Sequence, residues 1–177
     1  MFTRKGAEWL RGLGLDPVDS ILRMMSPLME EIRLLSLELR HNAAGDEDIR
    51  LLTSIPGVGY YTAVLVKAEV SDIDRFHSGD QLASYAGLAP SNHSSGGVTH
   101  HGRITKEGSA WLRWAMVEAA HVHFRFDSPV TRAYHRVAER RGKGKAAVAA
   151  ARMLLLVCRS VLKNWRPYFN PVHGQAC

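Results

Sequence analysis

The sequence predicts an all-α fold, and three observations carry that prediction. Apolar residues recur at three- and four-residue steps along most of the chain. Helix-capping residues and glycine stops punctuate these stretches, as at Ser78 and Gly87. Runs of alternating β-branched and aromatic residues, the mark of strands, are almost absent. The pattern divides the chain into a weakly structured N-terminus (1–16), a coiled-coil-like oligomerisation helix (17–45), a helical domain (46–168) and a tail (169–177).

Gly6, Gly12 and Gly14 predict little regular structure before Pro17, although Trp9 and Leu10 can pack locally. From Pro17 the apolar stripe Val18, Ile21, Leu22, Met25, Leu28, Met29, Ile32, Leu35 and Leu39 marks one helix face, with Glu30, Glu31, Arg33, Glu38 and Arg40 elsewhere. Such a stripe fits a partner helix or coiled coil, or packing against its own domain. Pro27 either kinks this helix or starts a new one with Ser26 as its cap. Asn42–Gly45 closes it.

The next unit, Asp48–Glu69, carries Ile55-Pro-Gly-Val-Gly59 between two apolar helical stretches. It resembles a helix-hairpin-helix motif of DNA-binding proteins. Gly57 and Gly59 would let the backbone approach closely, and the N–H groups at a helix beginning near Tyr60 would attract a phosphate. Val58 would anchor the turn in the core, and Ala63 would let the helices pack closely. The other reading is a glycine-rich connection that binds nothing, since the hairpin has no adjacent Lys or Arg. Further helices are predicted over Ser78–Gly87, Lys106–Arg125, Ser128–Arg141 and Ala146–Trp165, with Gly142-Lys-Gly-Lys145 as a break.

Composition narrows the function. Hydrophobic content is that of a soluble globular protein, no apolar run is long enough to span a bilayer, and the N-terminus lacks a signal-peptide core. A cytoplasmic, nucleoid-associated protein is expected. The two cysteines, Cys158 and Cys177, indicate neither a disulfide framework nor a cysteine metal site. Residues 1–74 hold 8 Lys/Arg against 12 Asp/Glu, a balance of −4; residues 75–177 hold 15 against 5, a balance of +10. That asymmetry favours nucleic acid over membrane as a partner, because no lipid-facing apolar face accompanies it.

Between the helices lies the long polar insert Tyr85–Lys106, with Ser94-Ser95-Gly96-Gly97 at its centre and Arg103 and Lys106 near its end. An irregular connection of that length in a compact domain is functional or disordered. A small hairpin around Ser95–Arg103 is one conformation open to it.

Four motifs in order then point to a family: Ile-Pro-Gly-Val-Gly (55–59), Tyr-Ala-Gly-Leu-Ala-Pro (85–90), Ser-Gly (95–96) and Gly-Arg-Ile-Thr-Lys-x-Gly-x-x-x-Leu-Arg (102–113). Over roughly residues 48–166 the chain resembles the C-terminal transposase domain of a bacterial insertion-sequence family, the IS-one-ten/IS-one-sixteen/IS-nine-oh-two family, whose relatives include the pilin-gene invertase. The resemblance implies a serine, here Ser95, that attacks a DNA phosphodiester and becomes covalently linked to it. Ser94 is the less favoured stand-in. A serine hydroxyl needs a base and its transition state needs cations; His93, His100 or His101 could supply the first, and Arg103, Lys106 or Arg113 the second. Full-length members carry an N-terminal RuvC-like domain whose Asp-Glu-Asp-Asp quartet binds magnesium, and use a bridging RNA that pairs with DNA. Residues 1–16 offer no strands for such a domain, so the chain is expected to hold only the coiled coil and the C-terminal domain. Magnesium would come from the domain it lacks, with no metal site of its own; DNA, a structured guide RNA and a second copy joined through residues 17–41 are the expected partners. The alternatives are a non-catalytic helix-hairpin-helix module, an inactive transposase remnant, and a helical assembly protein that binds no nucleic acid.

Overall fold

The computed structural model describes residues 4–95, 98–104, 106–170 and 175–176; at residues 4, 91–95, 98–103 and 175–176 it describes the backbone alone. Among the described residues the fold is all-α, with eight α-helices and two short antiparallel strand pairs. The chain divides into two compact units, residues 1–42 and 43–177.

In the first unit, α1 (Arg4–Arg11) forms where the sequence predicts little regular structure. Its glycines explain the difference: Gly6 lies inside the helix, whereas Gly12 and Gly14 follow it, and Gly14 adopts φ +62. The second helix, α2 (Asp16–Ala43), runs unbroken through Pro27, so Pro27 does not start a new helix. Most of its apolar stripe faces solvent, with Ile21, Leu28, Met29, Ile32 and Leu35 each more than half exposed. Glu30 and Arg33 form an exposed ion pair one turn apart, of the kind that adds a few tenths of a kcal/mol to a helix.

The second unit is built on α8 (Lys143–Asn164), which packs against α7 (Pro129–Arg141), α6 (Ala110–His123), α5 (Gly79–Tyr85) and α3 (Glu47–Thr53). Helix α4 (Tyr60–Val70) packs on α3 and α6. Small buried residues make this close packing feasible: Ala115, Ala119 and Ala120 on α6, and Ala146, Ala147, Ala150 and Ala151 on α8. Leu52, Ile55, Leu82, Leu88, Leu112, Met116, Leu154 and Leu155 fill the centre. Side chains cap four of these helices. Asp46 accepts from the Asp48 and Ile49 N–H groups, Ser78 from Gln81, Ser109 from Leu112 and Ser128 from Thr131. Asp46 also pairs with Lys67 of α4, which reaches Asp48 at 3.1 Å. This pairing holds the Asp46 carboxyl below its ordinary range and raises the Lys67 ammonium, and it uses the one cation of α4 inside the protein.

The polar insert is more ordered than the sequence predicts. Strands β1 (Pro90–Ser95) and β2 (Val98–Ile104) pair antiparallel, Ser95 opposite Val98 and Pro90 opposite Ile104, with a bulge between Pro90 and Asn92. The hairpin is thus longer than the Ser95–Arg103 span. Gly96 and Gly97 lie outside the described residues.

Candidate functional site

Two structures that carry the sequence motifs are both fastened to α6. The first is the turn Ser54–Gly59 between α3 and α4. Ile55 and Val58 are buried, and the Val58 N–H donates to the Ile55 carbonyl at 2.9 Å. Gly57 adopts φ +88, and a Cβ there would stand 2.5 Å from the Ala119 carbonyl oxygen and 2.9 Å from the His123 nitrogen. The bare backbone of Gly57 therefore serves the close passage of the turn over α6. Gly59 differs: it caps α4 with extended backbone, makes no side-chain cap bond, and has nothing within 4 Å of its Cβ position. Tyr60 opens α4 and is 41% exposed.

His123, fully buried, locks this turn from below. Its Nδ1 lies 2.6 Å from the Pro56 carbonyl and its Nε2 lies 2.7 Å from the Ser128 hydroxyl. A carbonyl can only accept, so Nδ1 carries the proton, and in the neutral ring Nε2 accepts from Ser128. The Thr131 hydroxyl then donates to the Phe126 carbonyl at 2.7 Å. Burial lowers the His123 pKa, opposed by the bond to Pro56. A histidine whose folded pKa is depressed binds fewer protons than in the unfolded chain. Its contribution to stability is complete above the unfolded value of about 6.5 and is lost as pH falls toward the folded value. Thermal denaturation from pH 7.5 to 5 should show Tm falling with pH, and His123→Gln should be less stable at pH 7.5 with a flatter profile. A parallel profile would remove His123 as the source.

The second structure is the base of the hairpin. Helix α5 ends in a Schellman turn: Gly87, at φ +63, donates to the Ser84 carbonyl and Leu88 to that of Ala83, both at 2.8 Å, while the Leu88 side chain is buried. The outgoing and returning segments cross here. A Cβ on Gly108, at φ +118, would lie 2.1 Å from the Tyr85 carbonyl oxygen, and one on Gly87 would lie 2.8 Å from that of Glu107. The Ser109 N–H donates to Tyr85 at 2.9 Å. Arg113, half-buried on α6, donates through one guanidinium nitrogen to the Ala86 and Lys106 carbonyls, both at 3.2 Å. Its one side chain thus joins both arms of the insert.

Gly57, Gly59 and Tyr60 share the α3–α4 turn. Lys106 is exposed with φ +57, and its backbone, not its ammonium, meets Arg113. Ser95 is placed by backbone at the far end of β1, and Arg103 within β2; their side chains, with those of His93, His100 and His101, lie outside the description. Arg113 and the Gly57 contact at His123 are ten residues apart on one helix, roughly 15 Å along its axis. Sequence reasoning missed an aromatic group beside the turn. Tyr61 of α4 and Trp111 and Trp114 of α6 are 52%, 66% and 49% exposed. Trp114 meets each of the others edge-on, with centroids 6.2 and 6.3 Å apart. The available signal was two tryptophans three residues apart, standing off the apolar face of Leu112, Ala115 and Met116. Among the described residues no group of three or more His, Cys, Asp or Glu could hold a metal ion, and no helix is long and apolar enough to cross a membrane.

Comparison with known proteins gives this architecture a family. Residues 49–136 match the model of the transposase IS116/IS110/IS902 family. The chain is 39% identical over 118 residues to a transposase for insertion sequence element IS1111A of Coxiella burnetii, a match covering 64% of this chain and 32% of that protein. It is 32% identical over 143 residues to a probable family 20 transposase of Pseudomonas aeruginosa, covering 76% and 42%. It is 33% identical over 139 residues to a pilin gene-inverting protein of Moraxella bovis, covering 77% and 41%. The chain thus spans less than half the length of these relatives. The matched segment runs from the start of α3 into α7, and so includes the glycine turn, the hairpin with its crossed base, and α6 between them; on that ground the chain belongs to the transposase IS116/IS110/IS902 family.

Proposed function

We propose that this chain is the DNA-acting C-terminal portion of a transposase or site-specific recombinase, with Ser95 as the nucleophile. The observation that carries the reading is the hairpin base. Two glycines, a Schellman turn and Arg113 fix both arms of an otherwise polar insert, and the arms carry Ser95 away from that base. Rigid support of a reactive loop is what positional catalysis requires. In the proposed step the Ser95 oxygen bonds to a DNA phosphorus, the serine proton passes to a base, and the displaced sugar oxygen leaves as a hydroxyl after taking up a proton. His93, His100 or His101 would serve as the base; the backbone register sets His93 opposite His100. Arg103 and Lys106 stand nearer the base of the hairpin than Ser95 and would hold neighbouring phosphates of the bound strand, whereas Arg113 acts through the backbone it holds.

The turn at Gly59 and Tyr60 would receive a second phosphate at the start of α4 in the manner of a helix-hairpin-helix, with Tyr61, Trp111 and Trp114 beside it for stacking. The exposed stripe of α2 suits pairing with a second copy. A structured guide RNA as a further partner rests on the family resemblance. The family resemblance assigns magnesium to a RuvC-like domain of a full-length subunit, and no step is routed through it.

The test is a covalent protein–DNA adduct on a denaturing gel. The chain is combined with cognate DNA, guide RNA, magnesium and a full-length family subunit whose own serine has been replaced. An adduct on this chain is expected, and Ser95→Ala should abolish it; an undiminished adduct would exclude Ser95. Salt-sensitive DNA binding without any adduct would favour the non-catalytic module instead.

A further inference from the structure

We propose that the corner between α7 and α8 is a second DNA-binding surface, one that grips the phosphate backbone of duplex DNA without reading bases. The proposal rests on the reading above that this chain acts on DNA. Five cations, Arg136, Arg140, Arg141, Lys143 and Lys145, lie on the last two turns of α7 and the first turn of α8. All five are exposed. Among the described residues, the ion pairs of the other cations, such as Arg132 with Asp127, Arg152 with Asp80 and Lys163 with Asp74, involve none of these five. Residues 136–145 hold five cations against the single acid Glu139, a balance of +4, out of the +10 of residues 75–177.

Helix stability does not account for this arrangement. Arg140 and Arg141 complement the C-terminal end of α7. Lys143 and Lys145, however, occupy the first turn of α8, where the helix dipole favours acids and disfavours cations. That turn has no acidic residue and no side-chain cap, and glycines occupy positions 142 and 144. The two lysines therefore oppose the helix they begin and crowd the arginines next to them. A local choice that conflicts with its own element, with no compensating contact inside the protein, is the pattern of a functional surface. A polyanion relieves both conflicts.

The chemistry of the patch selects duplex over single strands. Single-stranded nucleic acid is held by aromatic stacking as well as by charge, and no Trp, Tyr or Phe between residues 129 and 145 is fully exposed. The one aromatic residue of α7 among these types, Tyr134, is stacked on Phe124 at 3.9 Å. Arginine and lysine without stacking partners give phosphate contacts and a strong dependence on salt, with no preference for sequence.

The test uses the full 177-residue chain and unrelated 30-base-pair duplexes, with binding followed by fluorescence anisotropy from 50 to 300 mM salt. Lys143→Gln/Lys145→Gln should weaken binding to every duplex alike and reduce the slope of log K against log salt by about 1.8, two phosphate contacts at about 0.9 each. Lys143→Glu/Lys145→Glu should weaken binding further while raising Tm by about 3 °C, because acids suit the start of α8. A role confined to stability would instead lower Tm in both variants. An unchanged slope in the double-glutamine variant, with wild-type binding intact, overturns this surface and leaves the DNA-acting reading standing. Loss confined to structured RNA, with duplex binding unchanged, also overturns it. Absence of any duplex binding by the wild type overturns both.

Discussion

Gly108→Ala is expected to lower the yield of the covalent adduct by roughly 100-fold or more, on the scale that misplacing a reacting group by an ångström costs. At φ +118, with a Cβ directed 2.1 Å from the Tyr85 carbonyl oxygen, alanine cannot be accommodated without moving backbone on both sides of the crossing. The strained dihedral costs on the order of 1–3 kcal/mol and the overlap a similar amount. The cheapest escape is to separate the two arms, which breaks the Ser109 to Tyr85 bond and draws the Lys106 carbonyl away from Arg113. Most helices of the second unit contribute nothing to that crossing, so far-ultraviolet circular dichroism should change little while the adduct is lost. Arg113→Lys should move in the same direction by less, since a single ammonium reproduces the two carbonyl bonds poorly. An adduct formed at the wild-type rate by Gly108→Ala would show that the base does not position the nucleophile.

Gly57→Ala should act on the fold itself. The added carbon would meet two backbone atoms of α6, at 2.5 and 2.9 Å, and the residue would keep a left-handed φ of +88. Together these are expected to cost about 4 kcal/mol, a large part of a marginal stability, and to lower Tm by roughly 8–16 °C. Gly59→Ala is the control, because its Cβ position is open and its φ is −83; its Tm should stay within a degree or two of wild type. Equal Tm values for the two variants would mean that the turn does not press on α6. The contrast matters for function, since it separates the glycine that builds the turn from the one next to the start of α4.

The helices were legible because their signals are local. Periodicity, capping residues and glycine stops lie within a few residues of what they specify, and α3 to α8 follow them, except that α6 starts at Ala110 rather than Lys106 and α8 already starts at Lys143, running through Gly144 of the expected break. The hairpin was less so. Ser, Asn, His and Gly carry little strand preference, and what orders β1 and β2 is backbone pairing above a base assembled from residues on either side. Gly57, Gly87 and Gly108 stood out in the sequence, but their partners Ala119, Glu107 and Tyr85 depend on the tertiary fold. For the same reason the sequence offers Arg113 as a phosphate ligand but does not show that its side chain joins the Ala86 and Lys106 carbonyls. Nothing in the local sequence marks His123; only burial and the approach of Pro56 and Ser128 reveal it as a bolt through the α3–α4 turn.

The crossed base also separates two quantities that most reactive loops confuse. Because Gly87, Gly108 and Arg113 fasten the arms below Pro90 and Ile104, the hairpin above them acts as a spacer of adjustable length. Adding two residues to each arm would carry the tip outward by about 7 Å and return every side chain to its original face, whereas adding one would reverse the faces. Reach toward a substrate can therefore change in steps of two residues while the helical scaffold stays as it is, and relatives acting on differently spaced strands could share one scaffold and differ only in hairpin length.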